Sequence, residues 1–353
     1  MNRCRVLIID DSAYNRTTLS RIVDADPEFE VVATASDGEE GLRKMLMHMP
    51  DIVTLDLDMP RMDGFTFLRI SMQKLPIPIV VVSSQAQPEN VFKALELGAV
   101  DFVAKPTRNI SERLAEVGEE LLQKLKAAHR TQAGALKRMV RTSAPAVVSK
   151  LAPPKSMSGL VVLGASTGGP GSLQLVLERL PILPVSILIA QHMPAGFTRT
   201  FSERLNRTSP YLVDEAKGGE TLAGGQVWIA PGGRNLSVVR RAGELRLVVD
   251  EPAGERFVPS VDKLFFSAAK LGNGLPLLAV VLTGMGDDGA QGAVAVRNAG
   301  GHLYVESEET AVVNGMPREA AKLATAHRVL PLPDVPKAIE QWIVSLKSSQ
   351  PMI

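Results

Sequence analysis

Five polar side chains fall at the ends of short apolar runs in the first third of the chain. The run 6–9 leads into Asp10-Asp11, 52–55 into Asp56, 79–82 into Ser83, and 100–103 is followed by Lys105-Pro106. Three carboxylates converging in one crevice repel one another, and a hard divalent cation relieves that repulsion. A hydroxyl and an ammonium facing them complete a group that can accept phosphate. One acid attacks, the cation and the lysine neutralise charge, and the hydroxyl donates. A single Asp after a strand is commonly a helix N-cap, but capping does not account for five polar residues at four strand ends.

The second half offers a different chemistry. The apolar run 160–163 enters Gly164-Ala165-Ser166-Thr167-Gly168-Gly169-Pro170-Gly171, ahead of a helical pattern over 172–180. The glycines suit a phosphate-cradling dinucleotide loop, a plain tight turn, or G-x-S-x-G, in which a sharp strand-to-helix turn presents a serine. A dinucleotide fold carries an acid roughly 20 residues on, at the end of its second strand. Here the run 186–190 ends instead in Gln191-His192-Met193-Pro194. Of the five histidines, only His192 closes a buried strand at this edge. A third run, 277–282, enters Thr283-Gly284-Met285-Gly286-Asp287-Asp288-Gly289. One of these two acids can hold an imidazole while the other caps a helix, and the glycines expose N–H groups for an oxyanion. Ser, His and Asp at three parallel strand ends make an acyl-transfer set. Its order, Ser…His…Asp, is not that of the α/β-hydrolases.

Both sets need strand ends gathered along one sheet edge. In residues 1–110, strand-length runs that are apolar on both faces alternate with helical stretches at 13–24, 38–49 and 89–97. This predicts an α/β domain with a parallel, doubly wound sheet of flavodoxin-like order, and the second half reads as a Rossmann-like counterpart. The 353-residue chain therefore divides into a domain over 1–120, a linker over 121–157 and a second domain over 158–346. The linker holds eight basic and no acidic side chains, with Pro145, Pro153 and Pro154, although Leu121, Leu122, Leu125, Leu136 and Val140 could carry a helix part-way into it. Lys and Arg total 39 against 38 Asp and Glu, so no global field draws the chain to nucleic acid or a membrane. The single cysteine, Cys4, excludes a disulfide framework and a Cys-based zinc site. No apolar run approaches the ~20 residues that span a bilayer. The early first strand leaves no room for a signal peptide, so a cytoplasmic location without membrane insertion is expected.

The first domain resembles the receiver domains of bacterial response regulators. The resemblance rests on Asp10-Asp11, Asp56-Leu57-Asp58-Met59-Pro60, Met62-Asp63-Gly64, Ser83, Gly98-Ala99, Phe102 and Lys105-Pro106. It implies that Asp56 accepts phosphate from the phosphohistidine of a chemotaxis-type histidine kinase. Asp10, Asp11, Asp56 and the Asp58 carbonyl would hold Mg²⁺, Ser83 and Lys105 would bind the phosphoryl group, and Phe102 would be the switching aromatic.

With the second half added, the chain resembles the CheB family of receiver-linked chemotaxis methylesterases. Gly164–Gly169, Gln191-His192-Met193-Pro194, Ile229-Ala230-Pro231-Gly232, Pro259-Ser260-Val261-Asp262, the stretch 282–289 and Gly315-Met316-Pro317-Arg318-Glu319 carry this likeness. It implies a phosphorylation-regulated serine hydrolase that demethylates glutamyl γ-methyl esters on methyl-accepting chemoreceptors and deamidates glutamines. Ser166, His192 and Asp288 would form the triad, Met285 and Thr167 the oxyanion site, with no cofactor in this half. Asn235 and Val258 stand where the family usually carries His and Arg, and both are expected to flank the substrate groove. The rivals are a non-catalytic scaffold and a DNA-binding regulator. The latter would need a basic helix-turn-helix that the charge-balanced 158–353 does not offer.

Overall fold

Strands that are apolar on both faces must be covered on both faces, and in each half of the chain helices do the covering. The computed structural model describes residues 3–84, 88–105, 110–129, 154, 156–272 and 274–348, so most of the expected linker lies outside it. Two units result, Met1–Ser143 and Ala144–Ile353.

The first unit holds strands β1 (Cys4–Ile9), β2 (Phe29–Ala35), β3 (Ile52–Leu55), β4 (Ile79–Ser84) and β5 (Asp101–Lys105). They form one parallel sheet in the order β2-β1-β3-β4-β5. Between them run α1 (Ala13–Ala25), α2 (Gly38–His48), α3 (Gly64–Lys74) and α4 (Pro88–Glu96). The side chains of Ser12, Asp37 and Asp63 cap the first three. The order reverses between β1 and β3, the strands that end at Asp10 and at Asp56, and a ligand crevice opens at such a switch point.

The last helix, α5 (Ile110–His129), runs past position 120 into the stretch read as linker, and Leu136 and Val140 lie outside the described residues. Leu121 and Leu125, one turn apart, are fully buried. Two of the eight basic side chains assigned to the linker are ion-paired within this unit. Lys124 meets Asp101 and Glu120, and Lys126 meets Asp26 and Glu28.

The second unit is built on β6 (Gly159–Ala165), β7 (Val185–Gln191), β8 (Leu212–Glu215), β9 (Gln226–Ile229), β12 (Leu277–Val281), β13 (His302–Glu306) and β14 (Arg328–Leu330). All seven run parallel, in the order β14-β13-β12-β6-β7-β9-β8, and the reversal falls between β12 and β6. An antiparallel hairpin, β10 (Asn235–Arg241) with β11 (Glu244–Asp250), stands apart from this sheet. The helices are α6 (Gly169–Arg179), α7 (Phe197–Thr208), α8 (Val261–Ala269), α9 (Ala290–Asn298), α10 (Met316–Ala324) and α11 (Val335–Ser348). Among the described residues, no helix is long and apolar enough to cross a membrane.

Candidate active site and phosphoacceptor site

In the second unit, register does the first part of the work. Ala165 on β6 pairs with Gln191 on β7, so Ser166 and His192 are the next residues on neighbouring parallel strands, which run about 4.8 Å apart. The His192 N–H donates to the Ala165 carbonyl at 3.0 Å. On the other flank of β6, the Ser166 N–H donates to the Thr283 carbonyl at 3.0 Å, bringing the loop after β12 against the serine. Ser166 thus stands on the central strand of three, at the point where the sheet order reverses.

Asp288 reaches across to His192. Its Oδ2 lies 2.8 Å from His192 Nε2, and the Nδ1 of that ring is buried without a partner among the described residues. The imidazole is therefore turned the opposite way from the serine-protease template, where Nδ1 meets the acid. Asp288 also accepts from the N–H groups of Val261 (2.8 Å) and Asp262 (2.9 Å) and from Ser260 Oγ (3.2 Å). The positive end of α8 thus points at this carboxylate. Burial pushes its pKa up, but His192 and the backbone donors outweigh that and hold it below the usual carboxylate range. Asp287, its neighbour, is exposed.

The oxyanion candidates flank the serine. The backbone N–H groups of Thr167 and Met285 have no acceptor among the described residues. Thr167 opens the turn into α6, whose N-terminal dipole favours negative charge there. Gly168, at φ +77°, caps that helix, in a conformation that disfavours any side chain. A Cβ on Gly169 would lie 2.0 Å from Gln191 Oε1, so this turn also needs glycine to approach β7.

Several contributors were not assigned roles from sequence. Gln191 Nε2 donates to the carbonyls of both Ser166 (3.0 Å) and His192 (3.1 Å), tying the two residues together. Thr283 Oγ1 donates to the Thr167 carbonyl at 2.9 Å and accepts from the Val313 N–H at 2.9 Å. The Phe257 ring stacks on His192, with centroids 4.7 Å apart and planes 9° apart. Asn235, expected beside the groove, packs against the residue that starts α8. It is fully buried, and its Oδ1 accepts from the Ser260 N–H at 2.8 Å, one residue removed from the acid. Val258 precedes a cis proline, Pro259.

Asp262 answers Asp288 in kind, for its Oδ1 accepts from the N–H groups of Gly289 (3.0 Å) and Gly292 (2.6 Å) at the start of α9. Burial, with the charges of Asp288 and Asp287, pushes its pKa up to about 6, against those two donors. A carboxyl whose folded pKa is raised stabilises the fold below its unfolded pKa, and that stability is lost as pH climbs through the folded value. The wild type should therefore lose stability from this group between about pH 4 and pH 6, as Asp262 ionises. Asp262→Asn keeps the Oδ1 acceptor and removes the charge, so its stability relative to wild type should rise over that window. Both tryptophans, Trp228 and Trp342, lie in the second unit, and fluorescence-detected melting reports that unit alone. Parallel curves for the two proteins would contradict the expectation.

In the first unit, Asp10, Asp11 and Asp56 place one carboxylate oxygen each within 4.8 Å of one another. Hard oxygen donors at that spacing fit a divalent cation. Lys105 Nζ lies 2.9 Å from Asp10 and also pairs with Asp56. Burial pushes the Asp56 carboxyl above its usual range, a push that Lys105 opposes and Asp10 reinforces. Lys105 is raised as well, because the two carboxylates outweigh its burial. Ser83 Oγ is buried without a partner among the described residues, and Phe102 is buried with Lys124 Nζ 4.8 Å from its ring centroid. The Asp58 side chain is exposed, and the expectation concerned only its carbonyl. Asn15, unremarked in the sequence, donates to both Asp10 oxygens.

A carboxylate crevice on one doubly wound sheet and a Ser-His-Asp cluster on another define a class: a receiver joined to a serine-hydrolase domain. Residues 6–117 match the response regulator receiver domain, and residues 161–339 match CheB methylesterase. The protein-glutamate methylesterase/protein-glutamine glutaminase 3 of Geobacter sulfurreducens is 45% identical, over 97% of this chain and 98% of the relative. Enzyme 1 of that name from Myxococcus xanthus is 47% identical over 95% of each chain. The crystal structure of the Thermotoga maritima CheB methylesterase catalytic domain covers 53% of this chain and 98% of its own, at 38% identity and a TM-score of 0.50. The chain belongs to the CheB methylesterase family.

Proposed function

We propose that the second unit hydrolyses γ-methyl esters of glutamyl side chains on methyl-accepting chemoreceptors, releasing methanol, and deamidates glutamines by the same route. The observation that carries this reading is the His192–Asp288 pair, with Nδ1 left buried, without a partner among the described residues, at the strand position beside Ser166. Ser166 Oγ attacks the ester carbonyl and its proton passes to His192 Nδ1. Asp288 stabilises the resulting imidazolium through Nε2. The N–H groups of Thr167 and Met285 hold the oxyanion, where one such donor typically lowers the barrier by about 2.7–4 kcal/mol. The tetrahedral intermediate collapses, and the methoxy oxygen leaves with the proton from His192. Water then gives a proton to His192 and attacks the acyl-enzyme, freeing the glutamate carboxylate and restoring Ser166.

In the first unit, Asp56 is the phosphoacceptor and a chemotaxis-type histidine kinase the donor. Mg²⁺ held by Asp10, Asp11, Asp56 and the Asp58 carbonyl would neutralise phosphoryl charge when bound. Lys105 and Ser83 bind the phosphoryl oxygens, and Phe102 shifts with Ser83. Phosphorylation relieves inhibition of the esterase, which needs only a few kcal/mol of difference between two states.

The test is release of labelled methanol from methyl-esterified receptor membranes by the full chain, with and without a small-molecule phosphodonor. Release that rises with the phosphodonor is expected. No release in either condition would overturn the esterase reading, and release indifferent to the phosphodonor would overturn the regulatory one.

A further inference from the structure

Gln191, the last residue of β7, is 2% exposed, and its amide serves both residues that react. An amide nitrogen carries two hydrogens. Nε2 donates one to the Ser166 carbonyl at 3.0 Å and the other to the His192 carbonyl at 3.1 Å. The amide oxygen, Oε1, is buried with no hydrogen-bond partner among the described residues. Turning the amide over would set that oxygen against two carbonyl oxygens, so the two acceptors fix which way it faces. A buried acceptor left unsatisfied opposes folding, and an apolar side chain at this strand end would carry no such cost. The amide is held here for what its two donors do.

The Ser166 carbonyl and the Thr167 N–H belong to one planar trans peptide and point in opposite directions. A group that grips the carbonyl therefore aims the N–H. The Gly169 N–H also donates to this carbonyl, at 2.8 Å, but from within the same turn. Gln191 holds it from the neighbouring strand and so fixes the turn relative to His192. The Ser166 N–H is held in turn by the Thr283 carbonyl at 3.0 Å, which pins both peptides flanking the serine. His192 is pinned in the same way, its N–H on the Ala165 carbonyl at 3.0 Å and its own carbonyl on Gln191.

We infer that Gln191 is a positioning residue of the hydrolase: its amide aims the Thr167 N–H at the oxyanion and keeps that donor in register with His192. The inference rests on the esterase reading and adds a residue to that site. Gln191 acts through two carbonyls and touches neither the ester nor the transferred proton. The N–H that it aims bonds most strongly to an oxygen carrying developed negative charge, so the benefit falls on the transition state.

The test compares the full chain with Gln191→Met, using a phosphodonor and methyl-esterified receptor membranes and reading kcat and KM separately. Methionine keeps the length of the side chain and removes both donors. kcat should fall about 10²-fold, the scale of one lost oxyanion donor, with KM within about twofold of wild type. Phenylboronic acid, whose adduct with a serine puts an oxygen where the oxyanion sits, should bind at least about tenfold more weakly. The pH at which kcat falls on the acid side should match wild type, because the His192 ring is untouched, and so should the tryptophan-fluorescence melt. If Gln191→Met does not fold, Gln191→Glu decides. Ionised, its carboxylate turns oxygens on both carbonyls; protonated, it regains one donor, so its kcat relative to wild type should rise as pH falls. An unchanged kcat in Gln191→Met, a kcat lost while phenylboronic acid still binds as in wild type, or a flat ratio for Gln191→Glu overturns the positioning role and leaves the esterase reading intact. A wild type that releases no methanol overturns both.

Discussion

Ser166→Ala is expected to lower methanol release on the order of 10⁶-fold while leaving the second unit folded. The size of the loss follows from losing the nucleophile, since the oxyanion donors and substrate contacts that remain supply only a residual acceleration over water. The fold is spared because Ser166 Oγ makes no hydrogen bond among the described residues, whereas its N–H, which alanine retains, bonds Thr283. Tryptophan fluorescence melting should match wild type within about 1 kcal/mol. Turnover that survives the substitution would remove Ser166 from the chemistry.

Asp56→Asn is expected to abolish the acid-stable, hydroxylamine-labile phosphate that a phosphorylated kinase leaves on the chain. An amide oxygen does not displace phosphate from phosphohistidine, and no neighbour replaces Asp56. Asp10 is tied to Asn15, Lys105 and the Ser12 N–H, and Asp11 is exposed. The variant should also lose the response of methanol release to kinase while keeping its basal rate. Undiminished labelling would mean that phosphate goes elsewhere.

The sheets are legible in the sequence because their strands are apolar on both faces, a pattern that parallel, helix-covered sheets impose. Ser166 and His192 are legible for the same reason: each immediately follows such a strand, and adjacent parallel strands bring their ends together. The choice of Asp288 over Asp287 needed the family likeness, since two neighbouring acids at one turn differ only in where each points. In the structure one is buried against His192 and the other is exposed.

What stayed hidden comes from tertiary contact. Asn235 and Ser260 lie on separate elements and meet only because β10 packs on α8. The exchange of caps between Asp262 and Asp288 has no local signal beyond the acids themselves. Phe257 sits in an irregular loop, where an aromatic residue gives no hint of its partner. In α5, the charge count masked a helix that Leu121 and Leu125 already suggested, because Lys124 and Lys126 are neutralised by acids on other elements.

The most direct measurement is the rate at which a fluorophosphonate ester labels the full chain, with the adduct mapped by mass spectrometry. Ser166 should carry the one adduct, and His192→Gln should slow its formation by at least about 10²-fold, because the proton then has no base to accept it. An adduct on another side chain, or equal rates in the two proteins, would contradict a serine activated by His192 under the hold of Asp288.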